Sequence, residues 1–356
     1  MQPRERVLAA LRRQEPDRVP KDMVFSPAIL KLFQEKTGAQ DPSEYFHLEV
    51  RRVEPRPAPQ GDFSRYIPTL PPGGRLDEWG VGWVPGSLFH FEGMIHPLAN
   101  FSSIADVETY PFPNLAAEER FEGYQEEVQR LQAAGHAVIG SCLPLGGTVF
   151  WPAYKLRGME ALLTDMLVNR DFAVALLDRA TQISAALATR IASRGVDVIW
   201  MADDFGTQLN LMMSLPMWQH WFKGRLAMVI AAAKSANPQV LVAFHSDGAI
   251  AKIIPHLIEI GVDVLNPVQP ECMDPREVKA CFGDRLSFWG TVGTQTTMPF
   301  GTPDDVRAVV RERMRTLGKG GGLLLAPTHM VEPDVPWDNI VAFFQAVDEY
   351  GEYPRS

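Results

Sequence analysis

His245 closes the apolar run VLVAFH, Cys272 stands in QPECMDP just past the run DVLNPV, and His329 follows the run GLLLAP. Two imidazoles and a thiol are donors that suit zinc, and three protein ligands with a fourth position open is the arrangement of a catalytic ion. Glu271 and Asp247 are reserve ligands beside the same points. The spacing fits no compact zinc motif, so these donors meet only if separate strands end at one place. Asp203 and Asp204 in MADDFGTQ, together with Asp247, are the candidates for proton handling or for anchoring a substrate. Neighbouring residues of an extended chain point to opposite faces, so one of Asp203 and Asp204 enters a pocket there. Plainer roles compete with each of these. His245 could be a hydrogen-bonded loop histidine, Asp247 an N-cap and Cys272 a small buried apolar residue. Trp151, Phe205, Gln208 and Trp289 fall beside the same run ends and are the candidates for substrate contacts. Trp79, Trp83 and Phe150 share that aromatic character, though a core role competes for all of them.

The elements that must position these groups are legible from residue 137 onward. Short apolar runs at 137–142, 197–202, 240–245, 263–268, 286–290 and 322–327 alternate with helical patterns. Near-continuous apolar runs of this length read as parallel strands buried on both faces. Thr302, Pro303 and Asp305 open one helix as N-cap, first-turn proline and capping-box acid, and Gly318 ends it. A second helix is expected from Ile250 to Gly261, and Asp274–Pro275 and Asp334–Pro336 start two more. Six β–α units imply a parallel sheet. RVPKDMVF (18–25) supplies a seventh strand and YFHLEVRRV (45–53) an eighth. The predicted fold is α/β: one (β/α)8 TIM-barrel domain over residues 1–356, with an N-terminal helix. Residues 56–120, rich in Pro, Gly and aromatics and lacking helical periodicity, read as an insertion over the barrel mouth, with DEWGVGWVPG as a hairpin. In such a barrel the catalytic groups come from the carboxyl ends of the strands, which is where the residues above fall. A doubly wound sheet would carry a glycine-rich phosphate turn after its first strand, and the Gly318–Gly322 cluster precedes a strand instead.

Composition narrows the functional classes. The 356 residues are 46% hydrophobic with a net charge of −9, and the basic residues are scattered. Nucleic acid is therefore not an expected partner, because phosphate binding needs a positive stripe. No apolar run approaches the length of a membrane span. The first helix lacks the apolar core of a signal peptide, and three cysteines make no disulfide framework; a cytoplasmic protein is expected.

The segments RERVLAALRRQEPDRVP, DDFGTQ, FHSDGAI, GVDVLNPVQP, FGDRLSFWGTVGTQ and GGGLLLAPTH…PDVPWDNI, in this order, resemble the uroporphyrinogen decarboxylase superfamily. That superfamily comprises (β/α)8 barrels and includes porphyrinogen decarboxylases and zinc-dependent, corrinoid-linked methyltransferases. The decarboxylases carry arginines soon after the first strand, where this chain reads KDMVFSPAIL; only Lys21 is there to meet clustered carboxylates. The thiol methyltransferases have His-x-Cys after the fifth strand and a second Cys after the last. This chain has His245-x-Asp247, with His329 near the second place. It is more similar to the branch associated with demethylation of methoxylated aromatic and other methylated compounds. The resemblance implies zinc-assisted methyl transfer from a small methylated donor to a corrinoid carried by a partner protein. The aromatic-rich insertion would then form the donor pocket and the docking rim. The rival expectation is a metal-independent decarboxylase or other lyase acting on a small carboxylic acid, with Asp203, Asp204 and His245 moving protons. A catalytically silent binding barrel is the third.

Overall fold

The computed structural model describes residues 1–59, 61–85 and 93–353. Its strands, in chain order, are β1 (Val50–Val53), β2 (Arg75–Leu76), β3 (Gly82–Val84), β4 (Gly93–Ile95), β5 (Ala137–Ser141), β6 (Val198–Ala202), β7 (Leu241–His245), β8 (Val264–Asn266), β9 (Ser287–Val292) and β10 (Leu323–Pro327). Seven of them form one parallel sheet in the order β1-β5-β6-β7-β8-β9-β10. The six apolar runs supply β5 to β10, and β1 comes from the end of YFHLEVRRV. Helices cross back between successive strands, the longest from Arg170 to Ser193.

The two faces of this sheet pack differently. Val50, Ala137, Ile139, Val198, Ala243, Val264, Trp289, Leu324 and Ala326, drawn from all seven strands, meet one another on the inner face. A sheet whose one face packs on itself must curl. Val7 and Leu11 of the N-terminal helix Pro3–Leu11 join the same cluster and plug its amino end. The outer face is covered by the helices, with Phe172, Leu176, Phe222 and Phe343 among its buried side chains.

Residues 18–25 do not form a regular strand. The segment runs beside β10 through the Asp22 N–H to Leu325 (3.0 Å) and the Leu325 N–H to Pro20 (2.9 Å). Pro20 has no N–H to extend the ladder. Towards β1 the segment is joined by side chains: the Lys21 N–H reaches Glu49 at 3.2 Å and Arg52 reaches Asp22 at 2.6 Å. No backbone pairing links the two among the described residues.

Local signals read from sequence hold in part. Thr302 and Asp305 form the capping box of the helix Pro303–Arg313, which passes into a wider turn at Met314–Gly318. The helix expected from Ile250 begins only at Ile254, where Pro255 occupies the first turn. The last helix, Trp337–Tyr350, is entered from Pro336 and not from Asp334. The hairpin read at 77–86 is present as the turn between β2 and β3, within a three-stranded antiparallel sheet completed by β4; residue 86 lies outside the described residues. The insertion also contains a short helix, Ile104–Thr109, that periodicity did not reveal because six residues span less than two turns. Gly320 to Gly322 sit at the amino end, where a Cβ on Gly321 would lie 2.4 Å from the Gln14 carbonyl.

Candidate active site

The carboxyl ends of the strands open on a cavity of about 400 Å³. Its walls carry Asp22, Arg52, Trp151, Trp200, Asp204, His245, Asn266, Trp289, Thr328 and His329.

Two loops following β6 and β7 build its polar side. The Asp203 N–H bonds to the His245 carbonyl (3.1 Å), the Phe205 N–H to Ser246 Oγ (3.1 Å), and the Ala249 N–H to the Thr207 carbonyl (2.8 Å). Gly206 and Gly248 face each other where the loops touch. A Cβ on Gly206 would lie 2.6 Å from the Asp247 carbonyl, and one on Gly248, which has φ +85°, 2.6 Å from the Thr207 carbonyl. Only glycine permits so close an approach of two backbones. The approach carries Asp204 to the far loop, where its Oδ1 accepts the Asp247 N–H at 2.8 Å.

These contacts bring one imidazole and two carboxyl groups together. His245 Nε2 lies 3.7 Å from Asp204 Oδ1 and 3.7 Å from Asp247 Oδ2. One donor atom from each of the three lies within 4.8 Å of the others. The other ring nitrogen of His245, Nδ1, is 2.5 Å from Asn266 Oδ1, and Asn266 in turn donates to the Trp289 carbonyl (2.8 Å). Asn266 thus fixes the ring plane and makes Nδ1 the protonated nitrogen, leaving Nε2 as a lone pair towards the two carboxylates. The His329 ring stands 6.2 Å from that of His245, between centroids. Burial, with the charges of Asp204 and Glu271, raises the Asp247 carboxyl above its ordinary range, against the opposing pull of His245 and His329.

The remaining residues singled out from sequence fall elsewhere. Asp203 is fully buried and turned away from the cavity; it accepts the backbone N–H groups of Thr148 (3.2 Å), Val149 (2.8 Å) and Trp151 (2.9 Å). Its role is to hold the turn before the helix Phe150–Arg157, as strand alternation required of one of the two aspartates. Burial raises its carboxyl to about 7, although these backbone donors favour the charge. Cys272 is not brought into the His245 group. Its thiol faces Gln208 Oε1 (3.1 Å) and Gln269 Oε1 (3.5 Å), and burial with the nearby charges of Glu271 and Asp247 raises its pKa. Glu271 also lies apart, accepting from the Gln295 N–H (3.2 Å) and the Thr296 hydroxyl (2.8 Å). Phe205 is core, packed on Phe150, Trp218 and Phe222 at 5.1–5.8 Å. Gln208 is exposed beside Cys272, so of the four expected substrate contacts Trp151 and Trp289 line the cavity. None of the described residues of the 56–120 insertion, expected to form the donor pocket, lines the cavity; the Trp83 ring instead lies under the Lys155 ammonium at 5.2 Å. Lys21 bonds Asp348 at 2.5 Å, away from the cavity.

Sequence reasoning missed Asn266, Trp200, Asp22 and Arg52. Arg52 is the most consequential, since it puts a cation in the wall where none was expected. Its Nη2 lies 2.6 Å from Asp22 Oδ2 and its guanidinium carbon 6.0 Å from the centre of Trp289. The side chain is 37% exposed, and it lines the cavity. Burial works against its charge, yet attraction to Asp22 prevails and the guanidinium pKa rises. The signal was strand alternation: of Arg51 and Arg52 on β1, one had to face inward.

Residues 93–350 match the uroporphyrinogen decarboxylase (URO-D) family, and the chain belongs to that family. Two curated relatives are both methylcobamide:CoM methyltransferases MtaA. The protein from Methanosarcina barkeri is 26% identical over 215 residues, and that from strain Fusaro 24% identical over 215 residues. The matches cover 60% of this chain and 60% of each relative's length. A methyltransferase from Methanosarcina mazei has the same fold, with a TM-score of 0.71 at 19% identity, covering 98% of this chain and 99% of its own. No helix among the described residues is long and apolar enough to cross a membrane.

Proposed function

We propose that the curled sheet is an eight-position barrel with residues 20–25 in the eighth place, and that its mouth transfers a methyl group. The donor is a small methylated compound and the acceptor a corrinoid held by a separate protein; the MtaA relatives share corrinoid-linked methyl transfer, although by name they pass the methyl group in the other direction, from a cobamide to CoM. The observation that carries this reading is the His245 cluster: one imidazole nitrogen with two carboxylates 3.7 Å away, in an aromatic-walled cavity.

The donor set fits zinc. Ligands about 2.0–2.1 Å from a tetrahedral ion lie about 3.3 Å apart, so separations of 3.7 Å close with small side-chain movements. His245, Asp204 and Asp247 would hold the ion, with His329 the nearest further donor; Cys272 and Glu271 are reserve ligands engaged elsewhere. When bound, zinc supplies Lewis acidity towards the charge that develops on the leaving atom of the donor. The chain's own residues do the rest. Asn266 keeps His245 Nε2 free and aimed, and the Asp247 N–H keeps Asp204 in place. Trp151 and Trp200, backed by the buried Trp289, bind the donor and exclude water from it. The methyl group leaves without the bonding electron pair, which stays with the donor atom and is then protonated. The barrel contributes no nucleophile.

The test is to mix the protein with a reduced corrinoid protein and a panel of methoxylated aromatics, methylamines and methyl thiols. Methylation of the corrinoid, read from its absorption spectrum and lost in His245→Ala, is the expected result. Release of carbon dioxide from a small acid, with no donor active, would replace this reading with the lyase.

A further inference from the structure

Resting on that reading of the cavity, we propose that the methyl donor is a planar aromatic carboxylate whose carboxylate is held by Arg52. Four side chains line the way from Arg52 to His245. The guanidinium lies 6.0 Å from the centre of Trp289, Trp289 meets Trp200 edge-to-face at 5.0 Å, and Trp200 lies 6.3 Å from the His245 ring. Trp289 is itself buried, so a flat ring packs on the half-buried Trp200, with its carboxylate at Arg52 and its methyl-bearing atom at the His245 cluster.

A guanidinium presents five N–H donors. Asp22 takes one from Nη2 at 2.6 Å and one from Nη1 at 3.4 Å, and the others find no acceptor among the described residues. These donors are open to solvent in the cavity, and a ligand carboxylate can replace that water with a charge-assisted two-point contact that lysine could not make. The competing role for Arg52 is architectural, as the tie between residues 20–25 and β1 that replaces a backbone ladder. That role accounts for the Asp22 contact and not for a side chain left 37% exposed in the cavity wall. A cationic methylammonium donor suits the site less well, because Arg52 already occupies the electron-rich face of Trp289.

Binding to the metal-free protein tests this without the reaction. Titrate benzoate, benzamide and acetate in the presence of chelator, following tryptophan fluorescence, in the wild type, Arg52→Met and Asp22→Asn. A charge-assisted pair predicts that benzoate binds at least about tenfold more tightly than benzamide in the wild type. That preference disappears in Arg52→Met and persists in Asp22→Asn, and acetate binds far more weakly. Equal binding of benzoate and benzamide by the wild type would overturn the proposal, as would a preference retained in a folded Arg52→Met. Acetate binding as tightly as benzoate would overturn its aromatic part. If Arg52→Met does not fold, the wild-type ratio decides. A preserved preference with no methyl transfer would fell the reaction and leave this site standing; transfer from neutral ethers alone would do the reverse.

Discussion

Acidic side chains stand at both ends of the curled sheet, and the two sets are treated in opposite ways. At the amino end Glu49, just before β1, accepts from Arg6, from Arg18 at 3.1 Å and from the Lys21 N–H at 3.2 Å. Asp197, just before β6, accepts from Arg4 at 2.7 Å, Gln132 at 3.2 Å and the Val138 N–H at 3.0 Å. Their lone pairs are filled by the protein itself. At the carboxyl end Asp204 is given one backbone N–H and otherwise faces His245 across 3.7 Å, a gap too long for a hydrogen bond. Saturated charges fasten a fold. Charges held in place but left unpaired are set for something that arrives later, and in a parallel barrel the carboxyl end is where that happens.

At the amino end a loss of stability without loss of metal is expected. Glu49→Ala takes one of two carboxylates from the buried Arg6, which keeps Asp17, and removes the acceptor of the Lys21 N–H; the loss should be about 1–3 kcal/mol. Chemical denaturation should show that loss while zinc content per folded chain is unchanged. A fall in zinc equal to that of His245→Ala would erase the distinction between the two ends.

Asp203 and Asp204 restate the comparison within two residues. Asp203→Ala strands three buried N–H groups, each costing about 1–3 kcal/mol, whereas Asp204→Ala should be nearly neutral in stability and lower zinc affinity. The carboxyl of Asp203 is raised from 3.8 to about 7 in the fold, so its neutral form is the favoured one there. Its contribution to stability is therefore complete below pH 4 and is lost as the pH climbs towards 7 and above. Denaturation midpoints measured across that range should fall for the wild type and flatten in Asp203→Asn. A flat wild-type profile would contradict it.

A smaller effect is expected from Gly206→Ala. The added Cβ forces the two loops apart and draws Asp204 from Asp247, so zinc affinity should drop about tenfold, within the range of changes around a metal's ligands. Titration with zinc, with thermal melting as the control for folding, reads this directly; unaltered affinity in a folded variant would show that the loop contact does not position the cluster.

How much of this was legible without coordinates follows from what each residue does. The strands from β5 to β10 could be read because parallel strands covered on both faces become unbroken apolar runs, as in VLVAFH and GLLLAP. His245 and one of Asp203 and Asp204 were expected at the mouth because strand ends in a barrel point there. Residues 18–25 looked like another such strand, but Pro20 and the side-chain tie through Asp22 make the segment an irregular edge. Asn266 sat unnoticed inside the run DVLNPV because an amide within a strand gives no sign of which imidazole it will meet. The direction of Cys272 could not be read for the converse reason: nearness along the chain to a strand end does not fix which way a loop turns, and this one sets the thiol against Gln208.

The most direct measurement is an anomalous-scattering map at the zinc edge from crystals grown with zinc. One peak about 2.0–2.1 Å from His245 Nε2 and in contact with carboxylate oxygens of Asp204 and Asp247, unchanged in Cys272→Ala, is the expected result. A peak on Cys272 and Glu271 away from His245, or no peak at the mouth with zinc in excess, would contradict it.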